Sequence, residues 1–189
     1  MRKNFGMKPW IFPQPVLIIA SYDKNEKANA MNAAWGGMAD DDKIQICLSA
    51  DHQTTINIKE RKAFTVSFGT EDYTSASDYV GLVSAKNEER KMEKAGFTVT
   101  KSENVDAPII NELPVCIECE LVKVGEYGNI IGKIINVSAD ESVLNETGKI
   151  DFSLFKPLIY EPVHHFYHTF GKRVAPAFSA GTILKGIEE

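Results

Sequence analysis

Two long runs in the second half of the chain, Pro114–Val124 and Asn129–Ser138, are rich in β-branched residues and separated only by a turn over Gly125–Gly128. Such a pair reads as an antiparallel hairpin. The first half repeats the pattern. Pro13-Gln-Pro15 leads into Val16–Tyr22, the polar stretch Asp23–Glu26 turns the chain, and a second strand is expected from Ala28 to about Met38. Lys43–Ser49 alternates polar and apolar residues as a half-buried strand does, and Ala63–Phe68 is another short β-run. Neighbouring hairpins with few helices between them point to a barrel rather than to βαβ units.

The expected helices are short. Asp51 is the natural N-cap for a helix over His52–Arg61, with Ile56 on its apolar side. Thr70 can cap a second, with Tyr73, Ala76, Tyr79 and Val80 at helical spacing, and Glu88–Ala95 reads as a charged helix closed by Gly96. The fold class is therefore mostly β, a barrel with peripheral α-helices.

A chain of 189 residues with 43% hydrophobic and 10% aromatic content can form one folded domain over residues 1–189 and bury a core without disulfides or metal. The net charge of −5 removes the simplest electrostatic case for a nucleic-acid binder. No apolar run reaches the roughly 18–20 residues of a membrane span. No secretory h-region is present, and an odd count of three Cys then reads as reduced thiols in the cytosol.

Four segments carry residues able to do chemistry. Asn29-Ala-Met-Asn-Ala-Ala-Trp-Gly-Gly37 is rich in small residues where a strand belongs. Along it Asn29, Met31, Ala33 and Trp35 share one face, with Ala30, Asn32 and Ala34 on the other. Small side chains let a planar heterocycle approach the backbone, while Trp35 and Met31 offer apolar surface. An Ala-rich strand packed beneath a helix, with Trp35 in the core, satisfies the same residues. Ser49–Asn57 combines hydroxyls, His52 and a helix start, where free N–H groups attract phosphate; Asp51, Thr54 and Thr55 can equally be helix caps. In the loop Val83–Glu88, Ser84 and Lys86 can bind an anion or be solvated.

The fourth segment is His164-His-Phe-Tyr-His168. On a strand His164 and His168 face the same way, but no CxxC pair or HExxH motif completes a zinc set, and contacts to an organic ligand are the better reading. Cys116-Ile-Glu-Cys119 has CxxC spacing but lies within an expected strand, so the two thiols face opposite ways and read as structural. There is no GxGxxG, P-loop or GxSxG motif.

In order along the chain, Pro13–Asp23, Asn29–Gly37, His52–Asn57, Asp78–Lys86, Lys94–Thr98, Pro157–Tyr160 and Gly171–Lys185 resemble the flavin reductase-like family with an FMN-binding split barrel, in its flavoredoxin branch. The resemblance implies a Greek-key split β-barrel with added helices, assembled as a homodimer with one FMN per subunit. It implies that Asn29, Met31, Asn32, Ala33, Ala34 and Trp35 line the isoalloxazine and part of the ribityl chain. Ser49, Asp51, His52, Thr54 and Thr55, with Ser84 and Lys86, would serve the phosphate and ribityl. His165 and Phe166 would approach the ring system, from the same or the partner subunit. Asn32 stands where many relatives carry Thr or Ser, and Ala85 where Gly is frequent.

Because flavin carries the hard chemistry, no catalytic side chain is required. The resemblance implies electron transfer from NADH or NADPH through FMN to free flavin, a redox-protein acceptor or another acceptor. A flavoredoxin-type electron carrier with little NAD(P)H turnover is the alternative. A barrel that binds haem or another heterocycle, or no ligand, is a third.

Overall fold

The computed structural model describes residues 1–126 and 128–185; residue 127 of the expected turn lies outside them. In chain order the first strands and helix are β1 (Gln14–Pro15), β2 (Leu17–Tyr22), β3 (Ala28–Ala33), β4 (Gly36–Asp40), β5 (Lys43–Cys47), α1 (Gln53–Arg61) and β6 (Ala63–Phe68). Then come α2 (Thr74–Leu82), α3 (Lys91–Ala95), β7 (Val99–Lys101), β8 (Pro108–Ile110), β9 (Val115–Val124) and β10 (Asn129–Ala139). The chain continues with α4 (Phe152–Phe155), β11 (Leu158–Glu161) and β12 (Phe166–Thr169).

Seven strands form one antiparallel sheet in the order β3-β2-β6-β9-β10-β5-β4. The edge strands β3 and β4 are consecutive in the chain, joined only by Ala34 and Trp35. Laid flat, the two edges of such a sheet would stand about 29 Å apart, yet the link from Ala33 to Gly36 spans at most about 11 Å. The sheet must therefore curl into a barrel, and the barrel stays split because β3 and β4 do not pair. Two register shifts in the β9–β10 hairpin, at Ile131/Gly132 and Ile134/Asn136, supply curvature. The Phe64 ring packs at Gly132, where an added Cβ would lie 2.4 Å from Phe64 Cζ.

Strand alternation sorts the core. Leu17 and Ile19 point inward with Ile44, Ile46, Phe64 and Val66, whereas Val16, Ile18 and Ala20 point outward beneath α2 and α3 with Ala30, Val80 and Phe97. The run Val16–Ala20 is uninterrupted because β2 is buried on both faces.

Several expected elements needed correction. The second strand does not continue to Met38, since Ala34 and Trp35 carry the chain across the seam. Asp51 is not the N-cap of α1; His52 holds that position and no side chain caps the helix. Ile56 is 40% exposed and Ile58 is the buried residue, because positions two apart on a helix lie on nearly opposite faces. Thr70 precedes a 3₁₀ turn at Glu71–Tyr73 rather than α2 and makes no side-chain cap. The charged helix is shorter than expected, Lys91–Ala95, and Gly96 closes it at φ +73°.

Candidate functional site

The seam of the barrel opens into a groove. One cavity of about 320 Å³ is lined by Met31, Asn32, Ala33, Ala34, Trp35, Cys47, Leu48, Ser49 and His52. Asn32 and Ala34 also border a second cavity of about 460 Å³, which reaches Asp78, Gly81, Tyr160, His165 and Tyr167. Trp35 is 59% exposed, which removes the reading that made it ordinary core. Its carbonyl accepts a hydrogen bond from the Cys47 amide at 2.8 Å, so β5 fixes the seam from the other side.

The wall at Asn32 is held from behind by α2. Asn32 Nδ2 donates to the Ser77 carbonyl at 3.0 Å, and an added Cβ at Gly81 would stand 2.9 Å from Asn32 Cβ. Gly81 thus lets the helix press directly against the strand.

The small sheet β1-β11-β12 forms the far wall. Tyr160 and Tyr167 are directly opposite on β11 and β12, their ring centroids 6.0 Å apart. Tyr167 donates to Asp78 Oδ1 at 2.7 Å; burial, reinforced by that carboxylate, pushes its hydroxyl above the ordinary tyrosine range. His165, at φ +65°, brings Nδ1 within 2.6 Å of the Tyr160 hydroxyl.

The anion-binding candidates meet at one place. Lys86 Nζ donates to the Asp51 carbonyl at 2.6 Å, and the Lys86 amide donates to Ser84 Oγ at 3.3 Å. The Ser84–Lys86 loop therefore lies against the start of α1, whose first N–H groups have no side-chain cap.

Other expected site residues are spent elsewhere. Thr54 and Thr55 are buried, and their hydroxyls are engaged: Thr54 Oγ1 accepts from Asn29 Nδ2 at 2.9 Å, and Thr55 Oγ1 donates to the Ser49 carbonyl at 2.8 Å. Asn29 borders a different, larger cavity of about 790 Å³ between α1 and the segment around α3. Phe166 is 63% exposed and lines neither groove cavity; strand alternation turns Tyr167 inward instead. Tyr160, Tyr167, Asp78, Gly81 and Cys47 were not anticipated. The two-residue period of Phe166–Thr169 and the i,i+3 spacing of Asp78 and Gly81 were the available signals.

The three histidines do not converge. His164 pairs with Glu161 at 3.0 Å in the turn before β12, His165 faces Tyr160, and His168 is exposed on β12. Among the described residues no group of three His, Cys, Asp or Glu side chains could hold a metal ion. Cys116 and Cys119 are buried free thiols; Cys119 belongs to the barrel core, while neighbouring Glu118 lies under the Ser102–Asn104 loop.

The groove fits a flavin mononucleotide in its chemistry. It combines an exposed indole with a wall of small residues, and its Ser49–His52 edge adjoins the uncapped start of α1, where the Lys86 ammonium lies against the Asp51 carbonyl.

Comparison with known proteins bears on this fit. The flavin reductase like domain matches residues 9–168. The chain is similar to the flavoredoxin of Desulfovibrio vulgaris (Miyazaki F), with a TM-score of 0.92 and 36% identity, covering 96% of this chain and 100% of that one. The flavoredoxin from Methanosarcina acetivorans superposes with a TM-score of 0.87 at 26% identity, covering 97% and 100% of the two chains. An FMN-binding domain of a flavin reductase-like enzyme from Shewanella baltica OS155 shares the fold, with a TM-score of 0.77, 20% identity and coverage of 86% and 89%.

Proposed function

The chain belongs to the flavin reductase-like, FMN-binding split-barrel family, and on that premise we propose that it is an FMN-binding oxidoreductase that takes electrons from NADH or NADPH and passes them to free flavin or another acceptor. The observation that carries this reading is the open groove at the Ala34–Trp35 seam, with the Lys86 ammonium beside the start of α1 next to it. Lys86, Ser84 and the first turn of α1 hold the phosphate. Met31, the alanines and Trp35 flank the flat ring. Bound FMN supplies the two-electron chemistry, so the side chains bind and orient rather than act as acid or base. Burial and the hydrogen bond to Asp78 keep the Tyr167 hydroxyl protonated and its ring fixed on the far wall.

The acting unit in this proposal is a homodimer. Met38, Phe166 and Phe170 are each more than half exposed, and Val174 and Phe178 are almost fully so, apolar side chains of the kind that a second copy would cover.

A second reading, an electron carrier with little NAD(P)H turnover, is favoured by the likeness to two flavoredoxins. A visible spectrum of the purified protein, with mass identification of the released chromophore, tests FMN binding; steady-state NAD(P)H oxidation separates the readings. FMN with turnover supports the reductase, FMN without turnover supports the carrier. A protein that is colourless and cannot be loaded with FMN removes both.

A further inference from the structure

The cavity of about 460 Å³ adjoins the groove along the unpaired edge of β3, where Asn32 and Ala34 border both. Its lining holds no lysine or arginine among the described residues, and its one carboxylate, Asp78, already accepts the Tyr167 hydroxyl at 2.7 Å. An anion entering here would lose hydration and find no cation in return. Leu82, 77% exposed, and the rings of Tyr160 and Tyr167 add apolar surface. The lining therefore suits a small, flat, uncharged molecule.

One hydroxyl in this lining is left for a ligand. Tyr167 spends its proton on Asp78, whereas the Tyr160 hydroxyl meets His165 Nδ1 at 2.6 Å. With the imidazole proton on Nδ1, His165 donates to the Tyr160 oxygen and leaves the Tyr160 O–H free. The turn before β12 holds the imidazole in place. The Glu161 carboxylate accepts from the Val163 and His164 amides at 2.9 and 2.8 Å, and the Glu161 carbonyl accepts from the His165 amide at 3.2 Å. His165 stands in this turn at φ +65°, a conformation that is costly for any residue but glycine. Glycine would sit there without strain, so the imidazole is what the position gains.

Resting on the flavin reading of the groove, we infer that this cavity is the site of the electron acceptor, that the acceptor is an uncharged quinone, and that Tyr160, positioned by His165, holds a quinone oxygen. The quinone takes a hydride from the reduced flavin at one carbonyl oxygen, forming an O–H bond, and the flavin is oxidised by two electrons. Negative charge grows on the second quinone oxygen as the hydride arrives. A phenol O–H at that oxygen binds the charged state more tightly than the neutral quinone, which speeds the transfer. Water then supplies the second proton, and the hydroquinone leaves.

The test loads the full-length protein with FMN, reduces the flavin photochemically without air, and follows its reoxidation by duroquinone in a stopped-flow instrument. The rate should saturate with duroquinone. Tyr160→Phe, which keeps the ring, should lower the limiting rate roughly tenfold or more with little change in the half-saturating concentration. His165→Gly, which suits the positive φ, should lose a similar factor, and free imidazole should restore it; a merely structural role would not respond to imidazole. Equilibrium dialysis of duroquinone against the oxidised protein reads binding apart from turnover, and anthraquinone-2-sulfonate, an anionic quinone, should bind roughly tenfold or more weakly. A protein that takes up no FMN overturns the flavin reading and this inference together. With FMN bound, an unsaturable rate that Tyr160→Phe leaves unchanged, equal binding of the sulfonate, or displacement of duroquinone by NADPH would overturn the quinone site alone.

Discussion

Ala33 and Gly36 belong to opposite edges of the seven-stranded sheet, yet only Ala34 and Trp35 separate them in the chain. This proximity makes the sheet a barrel, and it makes the linking dipeptide the floor of the groove. A residue that closes a barrel seam without pairing to both sides keeps its backbone and side chain available to a ligand.

Trp35→Ala should therefore weaken FMN binding while leaving the fold nearly as stable. The indole is 59% exposed, so little buried area is lost. Fluorescence titration against FMN, paired with a thermal melt, checks both halves. A large drop in melting temperature with unchanged FMN affinity would return Trp35 to the core.

Lys86→Ala should cost roughly tenfold in FMN affinity, the range of one charge-assisted hydrogen bond. Riboflavin, which lacks the phosphate, should lose far less. Equal losses for the two ligands would detach Lys86 from the phosphate.

The three thiols should react at very different rates. Burial pushes Cys116 up to about 11 and Cys119 up to about 12, so neither offers appreciable thiolate near neutral pH. Cys47 is half-buried and lines the groove. Titration of the native protein with a thiol reagent at pH 7.5 should label Cys47 first, and FMN should slow that reaction. Fast labelling of all three would mean that the β9 core opens readily.

Glu118 is 1% exposed and accepts from Ser102 Oγ, Asn104 Nδ2 and Asn136 Nδ2 at 2.7, 2.8 and 2.6 Å. Glu118→Ala leaves these donors buried without an acceptor, and should destabilise the protein by about 3 kcal/mol or more. Glu118→Gln keeps one acceptor oxygen and should cost less. Chemical denaturation of the two variants distinguishes a loss of acceptors from a loss of charge.

Lys91 makes stability depend on pH in the alkaline range. Its folded-state value is about 8 against an ordinary 10.5, so between those values the unfolded chain holds a proton that the folded protein has released. Stability from this group should rise with pH across that window and be flat below it. Lys91→Met should abolish the rise and stabilise the protein at pH 7 by about 1–2 kcal/mol, less than the full shift implies because the open cavity admits water. An unchanged pH profile in the variant would show that the ammonium is well solvated.

Much of the fold was legible because local patterns decided it. The alternation in Lys43–Cys47, the turn between β2 and β3, and the long β9–β10 hairpin are properties of short windows, and each strand formed where its window suggested. Helix α1 was misread at Ile56 because its buried face is largely polar, carrying Thr54, Thr55 and Asn57 beside Ile58. No hydropathy period marks a helix that buries hydroxyls and an amide. Phe166 was chosen over Tyr167 for a related reason: both are aromatic, and only the register of β12 against β11 tells which one turns inward.

The sequence by itself determined the long central strands, the antiparallel class and the set of small residues that line the groove. Those are consequences of side-chain size, branching and turn chemistry acting over a few residues. Only the tertiary structure decided that Ala34–Trp35 is a seam, that Lys86 reaches the start of α1, and that Asn32, Asp78 and Tyr160 meet around one cavity. Each joins segments distant in the chain, and their meeting depends on how the sheet curls, which no local preference encodes.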